Sequence, residues 1–165
     1  MTGTIFVDKT PYIEQLEKTQ PDYRYMFLRP HRFGKSAFLN MLCEYYDIHN
    51  AGIFNELFGP LYIGKHPTAW RNKHLVLKFD LSPISVNDSI DEMKTSFNKV
   101  VNGVLTDFVV KYGKELRYPG VTSVIDSDSG SGSLTRVLVR YCYTCYDKCI
   151  VLLISSFFFY FKDSG

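Results

Sequence analysis

Three consecutive residues, Gly34, Lys35 and Ser36, have the chemistry to hold a phosphate group. A glycine lets backbone N–H groups approach a phosphate without a Cβ in the way. A lysine supplies a cation for the terminal phosphates, and a serine supplies an oxygen for Mg²⁺. The tripeptide matches the end of the phosphate-loop pattern G-x-x-x-x-G-K-[S/T], in which Arg29 occupies the position of the first glycine. A plain turn leading into a helix is the alternative interpretation.

The residues on either side of the tripeptide predict the context that a phosphate loop needs. Residues 25–28 are an apolar run bounded by turn residues, which indicates a buried strand. From Lys35 the apolar residues recur with a period of 3.6, which predicts a helix ending near Asp47. The N-terminus of such a helix offers unpaired N–H groups and the positive end of the helix dipole.

Positive charge is concentrated at this loop and absent from its surroundings. Arg29, His31, Arg32 and Lys35 lie within a short segment, whereas basic and acidic residues are equally numerous over residues 1–50. The whole chain has 19 Lys and Arg against 17 Asp and Glu, a net charge of +2. This pattern favours a small polyanion over a nucleic-acid groove, whose affinity depends on many phosphate contacts. A solvated basic turn and a DNA-interaction module are the alternatives.

Several strings of the sequence resemble the AAA-ATPase-like domain family. They are Phe-Val-Asp-Lys-Thr at 6–10, Phe-Leu-Arg-Pro-His-Arg-Phe-Gly-Lys-Ser at 27–36, residues 58–63, Trp70 and residues 76–80. The loop of that family reads Arg-Pro-Arg-Arg-Phe-Gly-Lys-Ser and usually lacks the first glycine, so Arg29 fits the family while His31 replaces a commoner arginine. The resemblance is close over residues 5–85, looser over 86–148, and resumes at 149–154.

This resemblance implies a P-loop NTPase-like, three-layer α/β fold with a mostly parallel sheet that binds ATP and Mg²⁺. The residues it implies for nucleotide binding are Arg29, Arg32, Phe33, Gly34, Lys35 and Ser36, with Ser36 also a metal ligand. It also implies that Asp8 and Lys9 lie near the nucleotide, although helix capping explains them equally well. Members of the family often carry a nuclease-type domain downstream, so contact with nucleic acid is expected only through such a domain.

The carboxylates that hydrolysis requires are missing where the resemblance places them. In the family an acidic pair follows the apolar strand, to hold Mg²⁺ and orient water. Here Ser155 and Ser156 follow the strand at 149–154. Asp80 is a substitute ligand in one interpretation and the cap of the turn at residues 81–83 in the other, which is favoured. No catalytic residue is therefore assigned, and we expect binding without turnover; an inactive fragment or a non-enzymatic binding module is the alternative.

The remaining periodicity predicts alternating strands and helices, the order of an α/β fold with a mostly parallel sheet. The predicted elements are a helix from Thr10 and Pro11, a connection at 48–74 with little regular structure, a strand at 74–80, a helix from Asp88 to about Gly113, a flexible low-complexity loop within 119–133, a helix at 134–147 and a strand at 149–154. We expect residues 1–154 to be the N-terminal part of an incomplete domain and residues 155–165 to be an aromatic tail foreign to the family.

Two further features of the sequence bear on compartment and metal binding. The N-terminus lacks the pattern of a signal peptide, and the longest apolar run is interrupted by serines, so an intracellular protein, in the cytoplasm or nucleus, without a membrane span is expected. Cys142, Cys145 and Cys149 are spaced to share one helix face, and a second ligand pair for zinc is missing. Core cysteines are therefore favoured over a metal site. The sequence leaves the oligomeric state open.

Overall fold

In the described part of the chain, the fold combines helices with a four-stranded sheet. A computed structural model describes residues 7–18, 24–26, 33–84, 89–116, 125–137, 149–153 and 158–161, the backbone alone in the segments at 24–26, 149–153 and 158–161. The elements are α1 (Pro11–Lys18), β1 (Arg24–Met26), α2 (Lys35–Tyr46), a 3₁₀ helix (Ile48–Ile53), α3 (Phe54–Phe58), α4 (Tyr62–Lys65), β2 (Leu75–Phe79), α5 (Ile90–Lys111), α6 (Gly130–Val137), β3 (Cys149–Leu153) and β4 (Phe158–Phe161).

Periodicity located the long elements well. Helix α1 begins at Pro11 and α2 at Lys35, as predicted, and the strands predicted near 25–28, 74–80 and 149–154 are β1, β2 and β3. Helix α5 is capped by Ser89, one residue after the predicted start, because Ser89 and Glu92 form a reciprocal capping box. The connection at 48–74 holds more regular structure than predicted, namely the 3₁₀ helix, α3 and α4.

The sheet has the strand order β1-β4-β3-β2 and is mixed. Strands β2 and β3 pair in parallel, whereas β4 pairs antiparallel with both β3 and β1. It follows that β1, β2 and β3 all run in one direction and β4 in the other. The predicted mostly parallel sheet therefore needs correction, since two of the three pairings described are antiparallel. The link from β3 to β4 is four residues long, too short for the crossover that a parallel neighbour requires.

The aromatic segment near the end of the chain takes a central place in this sheet. Phe158 pairs with both Met26 of β1 and Leu153 of β3, and Tyr160 pairs with Arg24 and Val151. Four residues of the segment 155–165, which the sequence predicts to be foreign to the family, therefore form a strand of the sheet. Backbone hydrogen bonds on both sides of β4, to β1 and to β3, place this strand inside the sheet.

The two faces of β2 contact different helices. Leu75, Leu77 and Phe79 belong to a buried cluster with residues of α5, whereas Val76 belongs to a cluster with residues of α1 to α4. Lys78, on the same face as Val76, donates a hydrogen bond to Asn40 Oδ1 of α2 at 2.9 Å. Because side chains alternate along a strand, α2 and α5 lie on opposite sides of the sheet at this strand.

The residue after α2, Asp47, joins these two layers. Its side chain is only 4% exposed, and one carboxylate oxygen accepts a hydrogen bond from Lys111 Nζ at the end of α5 at 2.5 Å. The other accepts from the His49 N–H at 2.9 Å. Its backbone carbonyl accepts from Asn72 Nδ2 at 2.9 Å, and it forms a parallel bridge with His74 just before β2. A charge this buried is stable only when it is paired and hydrogen-bonded.

The segment predicted as a flexible loop contributes to packed structure over residues 126–133. Asn98 of α5 donates to the Asp128 carbonyl and accepts from the Gly130 N–H, both at 2.9 Å. Asn102 donates to the Asp126 carbonyl at 2.7 Å. Residues 130–133 form the first turn of α6, where Gly130 is buried and the Asn98 Cα lies 3.0 Å from the point where a Cβ on Gly130 would stand. Two asparagines on α5 thus order a sequence whose composition favours disorder.

None of the helices in the described part of the chain is both long enough and apolar enough to cross a bilayer.

We predict that replacing Lys111 with methionine destabilises the fold by about 2 kcal/mol, because it leaves the buried Asp47 carboxylate without its cation. The cost is below the about 3–5 kcal/mol of a fully buried pair because Lys111 is 50% exposed and water can partly replace it. The melting temperature should fall by about 4–8 °C. The control is Lys94→Met, because Lys94 forms an exposed ion pair with Asp91. This variant should change the melting temperature little. Equal shifts in the two variants would contradict the role assigned to Asp47.

Candidate functional site

The candidate site lies at one edge of the sheet. Because β1, β2 and β3 run in the same direction, their carboxyl ends meet the same edge. Ligands of open α/β sheets bind outside the carboxyl ends of the strands. The segment that follows β1 leads to Gly34 and α2, and the residue that follows β2 is Asp80. Asp47 after α2 bridges to His74 before β2, and Asn40 in α2 bonds to Lys78 near the end of β2. Helix α2 therefore runs opposite to β2, and its first residues lie toward the carboxyl ends of the strands.

Gly34 forms the turn into α2 and is its N-cap residue. Its φ of 73° lies in the left-handed region that glycine adopts without strain. Glycine supplies no side-chain cap to α2, and the first turn of the helix carries no acidic residue. Lys35 and Ser36 are the first two helical residues, Lys35 half-buried and Ser36 exposed. The N–H groups at the start of α2 thus receive no cap from the N-cap residue and face no negative charge of the first turn, which suits an anion.

Lys9 reaches this turn from the segment before α1. Its Nζ donates a hydrogen bond to the Phe33 carbonyl oxygen at 2.8 Å. The same nitrogen lies 3.0 Å from the point where a Cβ on Gly34 would stand. A second ammonium group is therefore at the turn, contributed by a residue far away in the sequence.

The two neighbours of Lys9 bind the N-terminus of α4. One Asp8 carboxylate oxygen accepts from the Thr10 N–H at 2.8 Å and the other from the Tyr62 N–H at 2.9 Å. The buried Thr10 hydroxyl accepts from the Ile63 N–H at 3.1 Å. Burial acts to raise the pKa of Asp8, but the hydrogen bonds from Tyr62 and Thr10 outweigh it and lower the pKa below its ordinary 3.8. Asp8 thus closes the turn before α1 and caps the N-terminus of α4.

Asp80 caps a turn, the favoured interpretation of that residue. One carboxylate oxygen accepts from the Ser82 hydroxyl at 2.6 Å and from the Ser82 N–H at 3.0 Å. These hydrogen bonds lower its pKa. The contacts described for the Asp80 carboxylate therefore serve the turn at residues 81–83.

The structure describes four of the six predicted binding residues, Phe33, Gly34, Lys35 and Ser36, and they are consecutive across the turn. Arg29 and Arg32, and the Ser155 and Ser156 pair, lie outside the described residues. Among the residues that are described, no group of three or more His, Cys, Asp or Glu side chains is placed to hold a metal ion. Cys142 and Cys145 also lie outside them. Burial raises the pKa of the Cys43 thiol to about 12, which makes this cysteine unreactive.

A comparison with protein families identifies the group to which the chain belongs. Residues 1–157 match the family described as predicted AAA-ATPase. Since the match spans most of the 165 residues, the chain is a member of this AAA-ATPase-like family. The match ends three residues into the segment predicted to be foreign to the family. The chain has no significant match among curated proteins or among solved structures.

Sequence reasoning placed Lys9 near the site only through the family resemblance and did not anticipate its contact with Phe33. It also missed the two backbone N–H groups of α4 that Asp8 and Thr10 bind, over 54 and 53 residues of sequence. The string Val-Asp-Lys-Thr was the available signal, because it combines an acceptor, a cation and a hydroxyl in consecutive positions. Its target could not be read from the sequence, since nothing local marks residues 61–63 as a partner.

We predict that Gly34→Ala lowers the stability by about 1–2 kcal/mol, because alanine is strained at this positive φ. Its Cβ would also press on Lys9 Nζ. Gly103→Ala is the matched control: that glycine lies inside α5 with nothing within 4 Å of its Cβ position. The free energy of unfolding of this control should rise by about 0.5–1 kcal/mol. Thermal unfolding measures both, and a stabilising effect of Gly34→Ala would contradict the left-handed turn.

Proposed function

We propose that this protein binds a nucleoside triphosphate, ATP, together with Mg²⁺ through residues 29–36. The observation that carries the proposal is Gly34 in a left-handed turn at the start of α2, with Lys35 and Ser36 directly behind it. Membership of the AAA-ATPase-like family supports nucleotide binding in general. Within that class, the residues at the turn favour a P-loop type of site on a three-layer α/β fold.

The chemistry of the turn fits a polyphosphate. The backbone N–H groups near Phe33, Gly34 and Lys35 would bind phosphate oxygens, which the absence of a Cβ on Gly34 allows to come close. The Lys35 ammonium would neutralise the terminal phosphates, and Arg29 and Arg32 would add positive charge. Because the first turn of α2 carries no carboxylate, nothing on it opposes the negative ligand.

The fit to Mg²⁺ is partial on the protein side. Ser36 is exposed at the second position of α2 and offers one hydroxyl oxygen. Mg²⁺ commonly binds with one or two protein ligands, substrate phosphates and several waters, so a single hydroxyl is compatible with a nucleotide-bound ion. When bound, the ion would neutralise part of the negative charge on the phosphate oxygens. The Asp80 and Asp8 carboxylates are both engaged by hydrogen bonds from N–H or O–H groups.

Hydrolysis is not part of the proposed function. Ser155 and Ser156 follow the predicted strand at 149–154, in place of the acidic pair that the family resemblance leads one to expect. A neutral hydroxyl cannot replace a carboxylate that holds Mg²⁺ or orients the attacking water. The function that the residues support is therefore nucleotide binding with little or no turnover.

We predict that Lys35→Ala weakens Mg²⁺-dependent binding of a fluorescent ATP analogue at least about tenfold, because it removes a charge-assisted contact to phosphate. Lys99→Ala is the control, since Lys99 is exposed on α5, on the opposite side of β2 from α2. The affinity of Lys99→Ala for the ATP analogue should equal that of the wild type. If the wild type and Lys35→Ala bound the analogue equally weakly, the nucleotide proposal would be wrong.

A second prediction concerns turnover, measured as phosphate release from ATP with Mg²⁺. The wild type should release phosphate no faster than Lys35→Ala. The double variant Ser155→Asp with Ser156→Glu restores two carboxylates after β3 and should raise the rate above that background, because it supplies the missing metal and water ligands. The alanine pair at the same positions is the control. Release by the wild type above the Lys35→Ala level would disprove binding without hydrolysis.

A further inference from the structure

The turn at the start of α2 lacks the internal anchor that usually holds such a turn. Helices commonly begin with Ser, Thr, Asp or Asn, whose side chain accepts a hydrogen bond from the first turn. Here the N-cap residue is Gly34, which has no side chain to cap α2. Glycine is also the residue with the most conformational freedom to lose. Some other group must therefore restrict the Phe33–Gly34 peptide if the turn is to keep one conformation.

Lys9 supplies that restriction from outside the loop. Its ammonium donates to the Phe33 carbonyl at 2.8 Å, directly before the left-handed residue. A hydrogen bond from a charged donor is stronger than one between neutral groups. The nitrogen also occupies the space beside Gly34, 3.0 Å from where a Cβ would stand. Both contacts limit the rotation of the peptide that joins Phe33 to Gly34.

The backbone that carries Lys9 is itself held on both sides. Asp8 accepts from the Tyr62 N–H, and the fully buried Thr10 accepts from the Ile63 N–H. These bonds fix the segment before α1 against the N-terminus of α4. Holding a flexible lysine side chain in one place costs conformational entropy. Because the backbone of Lys9 is already fixed, only the entropy of its side chain is lost when it binds the Phe33 carbonyl.

We infer that Lys9 is a positioning residue for the phosphate loop, which sets the Phe33–Gly34 turn in its anion-binding conformation and links it to α1 and α4. The link runs from α4 through Asp8 and Thr10 to Lys9, and from Lys9 to Phe33. The effect on the ligand rests on the proposed nucleotide function, whereas the effect on the turn does not. Lys9 acts through the loop backbone, so direct contact of its ammonium with phosphate is not required.

The test compares Lys9→Met, which keeps an unbranched apolar side chain without the charge and donors, with Lys9→Arg, which keeps both. Lys18→Met is the control, because Lys18 is exposed and the ion pair described for it is with Glu14. Amide hydrogen exchange reports on the turn without any ligand, through the Phe38 N–H bonded to the Gly34 carbonyl at 2.9 Å. The Asp47 N–H, bonded to the Cys43 carbonyl at 3.1 Å, reports on the far end of the same helix.

In Lys9→Met, exchange of the Phe38 amide should be about tenfold faster, the value expected for loss of one charge-assisted hydrogen bond. Exchange of the Asp47 amide should not change. Binding of Mg²⁺–ATP should weaken by a similar factor, and Lys9→Arg should restore most of both effects. Lys18→Met should behave as the wild type in every measurement.

Unchanged exchange at Phe38 in Lys9→Met would overturn the inference. So would faster exchange at Phe38 and Asp47 alike with a lower melting temperature, because that would indicate general destabilisation. If Lys9→Met weakened binding of ATP but left exchange at Phe38 unchanged, Lys9 would be a direct phosphate ligand and the positioning role would be rejected. If the wild type bound no ATP while Lys9→Met still sped up exchange at Phe38, the nucleotide function would fail and the positioning role would stand.

Discussion

The packing of the two core layers depends on one buried carboxylate, Asp47. It ends α2 through its own N–H, which is bonded to the Cys43 carbonyl, and its side chain accepts from Lys111 at the end of α5. The adjoining Ile48 N–H donates to the His74 carbonyl at 3.0 Å, next to the start of β2. Three elements therefore converge on one residue at the C-terminal end of α2. An α-helix is stiff and rises about 1.5 Å per residue. Fixing one end of this 12-residue helix therefore also fixes the direction in which its other end points.

That opposite end is the candidate site, and a second set of polar contacts holds it. Asp8, Lys9 and Thr10 bind α4 on one side and the Phe33–Gly34 turn on the other. Helix α2 is thus held at its C-terminus by the ion pair between the buried Asp47 carboxylate and Lys111, and at its N-terminus by a lysine donating to a carbonyl. Gly34, the N-cap residue, supplies no side-chain cap to the first turn of the helix. The phosphate of the proposed ligand would complete that turn.

The sequence predicted best what depends on neighbouring residues. The period of 3.6 after Lys35 and the apolar runs at 25–28 and 74–80 located α2, β1 and β2, because burying one face requires the same spacing in any fold. Composition was a poorer guide. The serine- and glycine-rich stretch at 130–133 forms the first turn of α6, since Asn98 on α5 satisfies the backbone polar groups at its start. Local composition holds no information about a partner 30 residues or more away.

By itself the sequence determined the order of the elements, the tripeptide that places a cation and a hydroxyl at a helix start, and the resemblance that the family match over residues 1–157 confirms. Only the tertiary structure decided which distant groups meet. It placed β4 between β1 and β3, brought Lys9 to the Phe33 carbonyl, and set Asp80 in the turn that follows β2. Periodicity records which side of an element is buried; it does not record which element covers it, because many apolar faces are interchangeable.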